Sequence, residues 1–150
     1  MVTVNALVKA INALIVQQYP EDPVYVNILP KGFKRPSSYI ETIGVESESV
    51  GRWITRVKAE FLIHCYAPVG GHYESDTVWL GERLDGVLGL FAHGYMAVAD
   101  RKLEVAEISG DINLDEAYVS LKFDFFDDRP EPESEYPPME TVETTIMTEE

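Results

Sequence analysis

Residues 51–66, GRWITRVKAEFLIHCY, alternate along most of their length. Trp53, Val57, Ala59, Phe61, Ile63 and Cys65 share one parity; Arg52, Arg56, Lys58, Glu60 and His64 share the other. A period of two sustained this long dictates a long β-strand with one dry face and one charged face. A second run, 117–128, repeats the pattern, with Val119, Leu121, Phe123 and Phe125 opposing Ser120, Lys122 and Asp124. Strands that are dry on one side need a cover over that side. Two segments of helical period supply it.

The first is the N-terminus. Thr3 is placed to cap a helix over about Val4 to Gln18, whose stripe is Leu7, Ile11, Leu14, Ile15 and Gln18, widened by Val4 and Val8. Asn5, Lys9 and Asn12 interrupt it at helical spacing, and no charged leader precedes it, so it predicts a helix of the mature protein and not a secretion signal. The second runs from a cap at Ser75 or Asp76 to about Ala92, with the stripe Leu80, Leu84, Val87, Leu88 and Phe91. Gly81, Gly86 and Gly89 each lower its propensity by about 1 kcal/mol relative to alanine; the same small residues would let it lie close to a sheet.

Between these anchors, VYVNIL (24–29) predicts a short strand, PKGFKRPSS (30–38) a loop, and SYIETIGVES (38–47) a strand joined through a wide polar loop to the long strand. Residues 93–112 predict one or two short strands, with Met96, Val98, Leu103, Val105 and Ile108 as core candidates. The sum is an α+β fold: a mixed or mainly antiparallel β-sheet of four to six strands packed against two amphipathic helices, in a single domain over residues 1–129. From Pro130 the composition changes. The last 21 residues hold seven glutamates, four prolines and no basic residue, half of the formal charge of −14. This acidic extension cannot fold alone. Tyr136, Met139, Val142, Ile146 and Met147 leave two readings open, a frayed tail or a segment that docks on a neighbour.

The charge argues against nucleic-acid binding by the domain as a whole. No apolar run approaches the roughly 18 residues of a membrane span. The lone Cys65 excludes an intrachain disulfide and a multi-cysteine zinc site, and its parity makes it a buried small hydrophobe. His64, His72 and His93 match no spaced ligand set. The glycine pair in PVGGHYESDT lacks the lysine and spacing of a phosphate loop, and Glu74 and Asp76 would repel phosphate. Asp111, Asp115, Glu116 and Asp124 lie in loops or on polar strand faces, without a nucleophile or an oxyanion donor beside them. The expectation is a protein that is not an enzyme and carries no cofactor or metal.

Three pieces taken in order carry a family resemblance. Gly32, Phe33, Pro36 and Tyr39 form a glycine–aromatic loop and strand; Gly51, Arg52, Trp53, Phe61, Ile63 and Tyr66 mark the long strand; Val119, Phe123, Phe125 and Phe126 mark a closing strand after a lone helix. Over roughly residues 3–130 the chain resembles the tail terminator, or tail completion, proteins of tailed phages and prophage-derived particles of Gram-positive hosts. The motifs are aromatic and glycine positions with no catalytic signature, and the extension beyond 130 lies outside the pattern. The resemblance implies a virion protein assembled in the host cytoplasm. It would form a ring, a homohexamer, that caps the tail tube and meets the neck. Its implied partners are further copies of itself, the tail tube protein with a sheath as a further candidate, and a neck or connector protein. DNA would only pass through the lumen, and no membrane is involved.

Ring closure by rotation needs two different patches on each subunit. One candidate is the basic parity Arg52, Arg56 and Lys58; the other is acidic, from Glu46 and Glu48 or from Asp127 and Asp128 in the 127–135 stretch. Phe33 among Lys31, Lys34 and Arg35 has the composition of a docking anchor. The loop 67–75 is a further docking candidate. The plainer alternatives are a solvated strand face and a mobile loop. Two rival functions remain: another neck or head–tail connector component, and a small monomeric ligand-binding or enzymatic α+β domain.

Overall fold

The computed structural model describes residues 1–69 and 76–129. Its elements are α1 (Val4–Gln18), β1 (Val24–Val26), β2 (Ser37–Ser49), β3 (Ile54–Tyr66), α2 (Thr77–Leu90), β4 (Tyr95–Val98), β5 (Arg101–Asn113) and β6 (Glu116–Asp128). The strands form one sheet in the order β1-β2-β3-β6-β5-β4. Every neighbouring pair is antiparallel except β1 with β2. The α+β expectation holds, with both helices on one face. The acidic extension, His72 and the glycine pair of the 67–75 loop lie outside the described residues.

The predicted parities set the sheet's two faces. Ala59, Phe61, Ile63 and Cys65 of β3 are buried beside Ala117, Val119, Leu121, Phe123 and Phe125 of β6, and the Phe61 and Phe123 rings meet edge-on at 6.1 Å. α2 packs on β3, β5 and β6. α1 touches β1 and β2 at one margin of the sheet and β4 at the other, so the sheet curls about it. Leu7, Val8, Ile11 and Ile15 fill that curl. The Thr3 hydroxyl accepts from the Ala6 N–H and caps α1; Asp76, and not Ser75, caps α2 through the Val78 and Trp79 N–H groups.

Several boundaries differ from the sequence reading, each for a local reason. The β1 strand ends at Val26 because Asn27 turns to φ 60°. The wide loop between β2 and β3 is a tight turn over 51–53: ladder pairing continues to Ser49 opposite Thr55, and the Val50 N–H donates to the Ile54 carbonyl. α2 stops at Leu90, two residues short of the predicted end. The region 93–112 holds one short strand and one of 13 residues, because a bulge between Val105 and Glu107 breaks the alternation that would have revealed it.

The close approach of α2 to the sheet also has a different source. A side chain at Gly110 of β5 would run into Leu84 of α2, whereas Gly81 and Gly89 face open space. Gly86 makes room for the Tyr19 hydroxyl at the end of α1. Beside it lies a residue the sequence reading passed over. Arg83 of α2 is only 7% exposed; it pairs with Asp22 and lies under the rings of Tyr19 (3.6 Å) and Trp79 (4.5 Å). Its position three residues after Leu80 and four before Val87 is on the buried stripe, and that spacing was the available signal.

Candidate interaction surface

The face of the sheet opposite the helices carries the other parity. Its pattern is set by register. Glu46 of β2 lies opposite Lys58 of β3, which lies opposite Asp124 of β6; Glu48 lies opposite Arg56. Glu60 of β3 lies opposite Lys122 of β6, which lies opposite Glu107 of β5. Each cation therefore has acids on the strands beside it. Cross-strand pairs of this kind are the stabilising unit of an open sheet face.

The strongest pair is Arg56 with Asp124, bidentate at 2.8 and 2.7 Å. The guanidinium's hydrogen bond holds the Asp124 carboxyl below its ordinary range, and the same bond raises Arg56. Lys122 reaches Glu107 at 3.5 Å. A shallow groove of about 390 Å³ runs across this face between Gly44 and Ala106, floored by Lys58, Glu60 and Lys122.

The geometry rearranges the candidates. The basic strip and the acidic ESES stretch are not two separate patches, because they are neighbouring strands on one face. Arg52 has left the strand; it sits in the turn with its guanidinium 4.8 Å from the Trp53 ring. Asp127 is on the helix-side face and buried. It accepts from the Val2 N–H at 2.6 Å and from Arg101 at 3.1 Å, so it fastens the N-terminus to β6 and is not an open acid. Asp128 stays exposed.

Phe33 is likewise turned inward. Its ring packs at 4.6 Å on Tyr66 and meets Tyr25 at 6.4 Å. Arg35 lies within about 5 Å of both Phe33 and Tyr66 and pairs with Asp115 at 2.8 Å. The loop thus folds over one end of the polar face, leaving Lys31 and Lys34 exposed around it. Burial beneath it, with Glu116 nearby, pushes the Tyr66 hydroxyl up to about 12. Next in line, His64 stacks between Tyr39 and Tyr66 and approaches Glu41 at 2.9 Å and Glu116 at 3.4 Å.

At the other end nothing comparable covers the sheet among the described residues. There β2, β3 and β6 run on as a three-stranded arm, β6 pairing with β3 as far as Ile54, and every residue of β2 from 43 to 49 is exposed. Val50, Trp53, Ile54 and Phe126 gather at its tip, with Trp53 52% and Phe126 59% exposed. Arg129 closes the tip by donating its N–H to the Trp53 carbonyl. Exposed aromatics with a charged rim are the composition of an interface core.

Cys65, the only thiol, is buried and pushed up to about 12 by that burial, which leaves it a packing residue. Among the described residues no group of three or more His, Cys, Asp or Glu is placed to hold a metal ion. No helix among them is long and apolar enough to cross a membrane. A curled sheet with helices on one side, a charge-patterned face on the other and an apolar-tipped arm defines an interaction module of the structural kind.

The comparison with known families gives that class a name. The family model described as phage tail terminator protein matches residues 6–135, and the chain belongs to this family of phage tail structural proteins. The match agrees with the span expected from the sequence at its start and extends five residues past Pro130. No curated protein matches the chain.

Proposed function

We propose that the chain forms a ring, a homohexamer, that caps the last ring of the tail tube and presents a second surface to the neck beneath the head. The tail-terminator family supports this reading, and so does the arm, whose exposed Val50, Trp53, Ile54 and Phe126 are the observation that carries it. An apolar tip of this kind in an acidic chain fits contact with another protein surface. In this reading Arg52, Glu48 and Asp128 form the charged rim of that contact. Lys31 and Lys34, on the loop at the far end of the sheet, fit a second partner, the tube on one side or the neck protein on the other. The open polar face, with Glu46, Glu60 and Asp124 around Lys58, would line the hole and let DNA pass without gripping it.

The test is electron microscopy of particles made without this chain. Tails of uncontrolled length support termination. Tails of normal length that fail to join heads would instead make the chain a connector component of the neck. Normal tails on normal heads would overturn both readings. In complemented particles, Trp53→Ala with Phe126→Ala should reproduce the deletion phenotype while the purified variant keeps its fold by circular dichroism.

A further inference from the structure

The sheet's two long margins are each covered over only one end. β2 has 13 residues but its neighbour β1 has three, and β1 pairs only with Ser38, Tyr39 and Ile40. β5 also has 13 residues, its neighbour β4 has four, and β4 pairs only with 101–104; beyond that, Gly94 accepts from the Val105 N–H. Among the described residues, the remaining edges, 41–49 of β2 and 106–113 of β5, pair with no further strand. A bare edge presents a row of unused N–H and C=O groups and is a template for another strand.

We infer that these two edges join copies of this chain: 41–49 of one subunit pairs antiparallel with 106–113 of the next, and the four long strands of each subunit become one continuous sheet around the ring. This inference rests on the ring proposed above and supplies its joint.

The directions agree. β2, β3, β6 and β5 alternate in direction, so β2 and β5 run oppositely and a repeat of the set continues the alternation. The levels agree as well. Through the ladder, Ser109 is level with Ser120, Leu62 and Glu41. The centre of the bare β2 edge lies near Glu46. Bringing the two bare edges together therefore offsets neighbouring subunits by about four residues along the strands, once the bulge before Gly44 is allowed for; a closed sheet requires such a stagger. About one residue of stagger per strand is the ratio found in eight-stranded barrels of shear eight, whose strands tilt about 36°. With four strands per subunit, that tilt is independent of the number of subunits.

The side chains then fall into a definite register. With Ser109 opposite Glu46 on the polar face, Asp111 meets Gly44. On the helix side, Ile112 meets Ile43, two apolar residues 42% and 47% exposed in the single subunit, and Gly110 meets Val45. One opposition is unfavourable, Glu107 against Glu48, so the joint should tighten as salt screens it. Because the helices occupy the other face, the acidic polar face is the one left for the lumen.

Cysteine pairing tests the register directly, since Cys65 is buried. In Glu46→Cys, Ser109→Cys particles, mild oxidation should give a ladder of covalent oligomers that neither single variant gives. Hydrogen exchange supplies the second readout, comparing the purified monomer with the particle-bound chain. Amides of 41–49 and 106–113 should slow together by at least about tenfold on assembly. A multi-copy ring whose two edges still exchange as fast as in the monomer, or that forms no ladder, would overturn the edge joint and leave the ring standing. A single copy per particle would overturn both.

Discussion

The same two strands, β2 and β3, meet opposite conditions at their two ends. At the Tyr66 end, Ser37, Ser38, Ile40 and Cys65 are fully buried, between α1 on one face and the Phe33–Arg35 loop on the other. At the turn end, Val45 is exposed on the helix-side face, Trp53 stands out in the turn, and Ile54 is exposed on the polar face beside Arg56. On the helix side the dry parity of β3 runs from Cys65 through Phe61 and Ala59 to Val57, towards both ends. What changes is the cover. A period-two pattern states which residues want to be dry, and the reach of the helices decides which of them the single chain can satisfy. The remainder are left for a neighbour.

Truncating one aromatic at each end should give the largest difference between the two. Phe61→Ala should lose about 3–5 kcal/mol of stability, since the ring is fully buried against Phe123. Trp53→Ala should stay within about 0.5 kcal/mol of the parent in the isolated chain. Urea unfolding followed by circular dichroism measures both. Equal losses would mean that the arm is part of the core.

Next in size is Arg83→Ala. It leaves the largely buried Asp22 carboxylate of the α1–β1 connection unpaired and should cost about 3 kcal/mol, whereas reversing Lys58 on the open face should cost about 0.5 kcal/mol or less. Thermal melts of the two variants give the ranking. Gly86→Ala should cost about 1–2 kcal/mol, because a methyl group there displaces the Tyr19 hydroxyl; Gly89→Ala, facing open space, should be neutral or stabilising.

The smallest effect is electrostatic. Asp124 is held below its ordinary range by Arg56. A carboxylate lowered on folding adds stability that is fully present above its unfolded pKa and is lost as the pH falls through the lower, folded value. The pair is exposed, so the change in the melt will be slight. Carbon-detected titration of Asp124 is the better measurement: Arg56→Ala should move its midpoint upward. An unmoved midpoint would mean that the bidentate pair is not populated in solution.

Much of the fold was legible because it depends on periodicity. The α1 bounds and the dry parities of β3 and β6 follow from spacing alone. Bulges defeated the same logic. β5 carries Leu103 and Val105 on one parity and Ile108 on the other, so its length was hidden. The interaction surface was less legible, because opposition across strands depends on register. Nothing in the spacing of Glu46 and Lys58 says that they face each other. Nor does it say that Asp127 holds the N-terminus, or that Phe33 folds back on Tyr66. Arg83 was missed because a charged side chain on a helix stripe is ordinarily assigned to the solvent side.

An electron-microscopy map of the head-proximal end of the assembled tail would show the joint between copies directly. The expected map holds several copies of this chain around the lumen, helices outward, with β2 of each copy hydrogen-bonded to β5 of the next. Copies that meet through their helices, with β2 and β5 left apart, would contradict it.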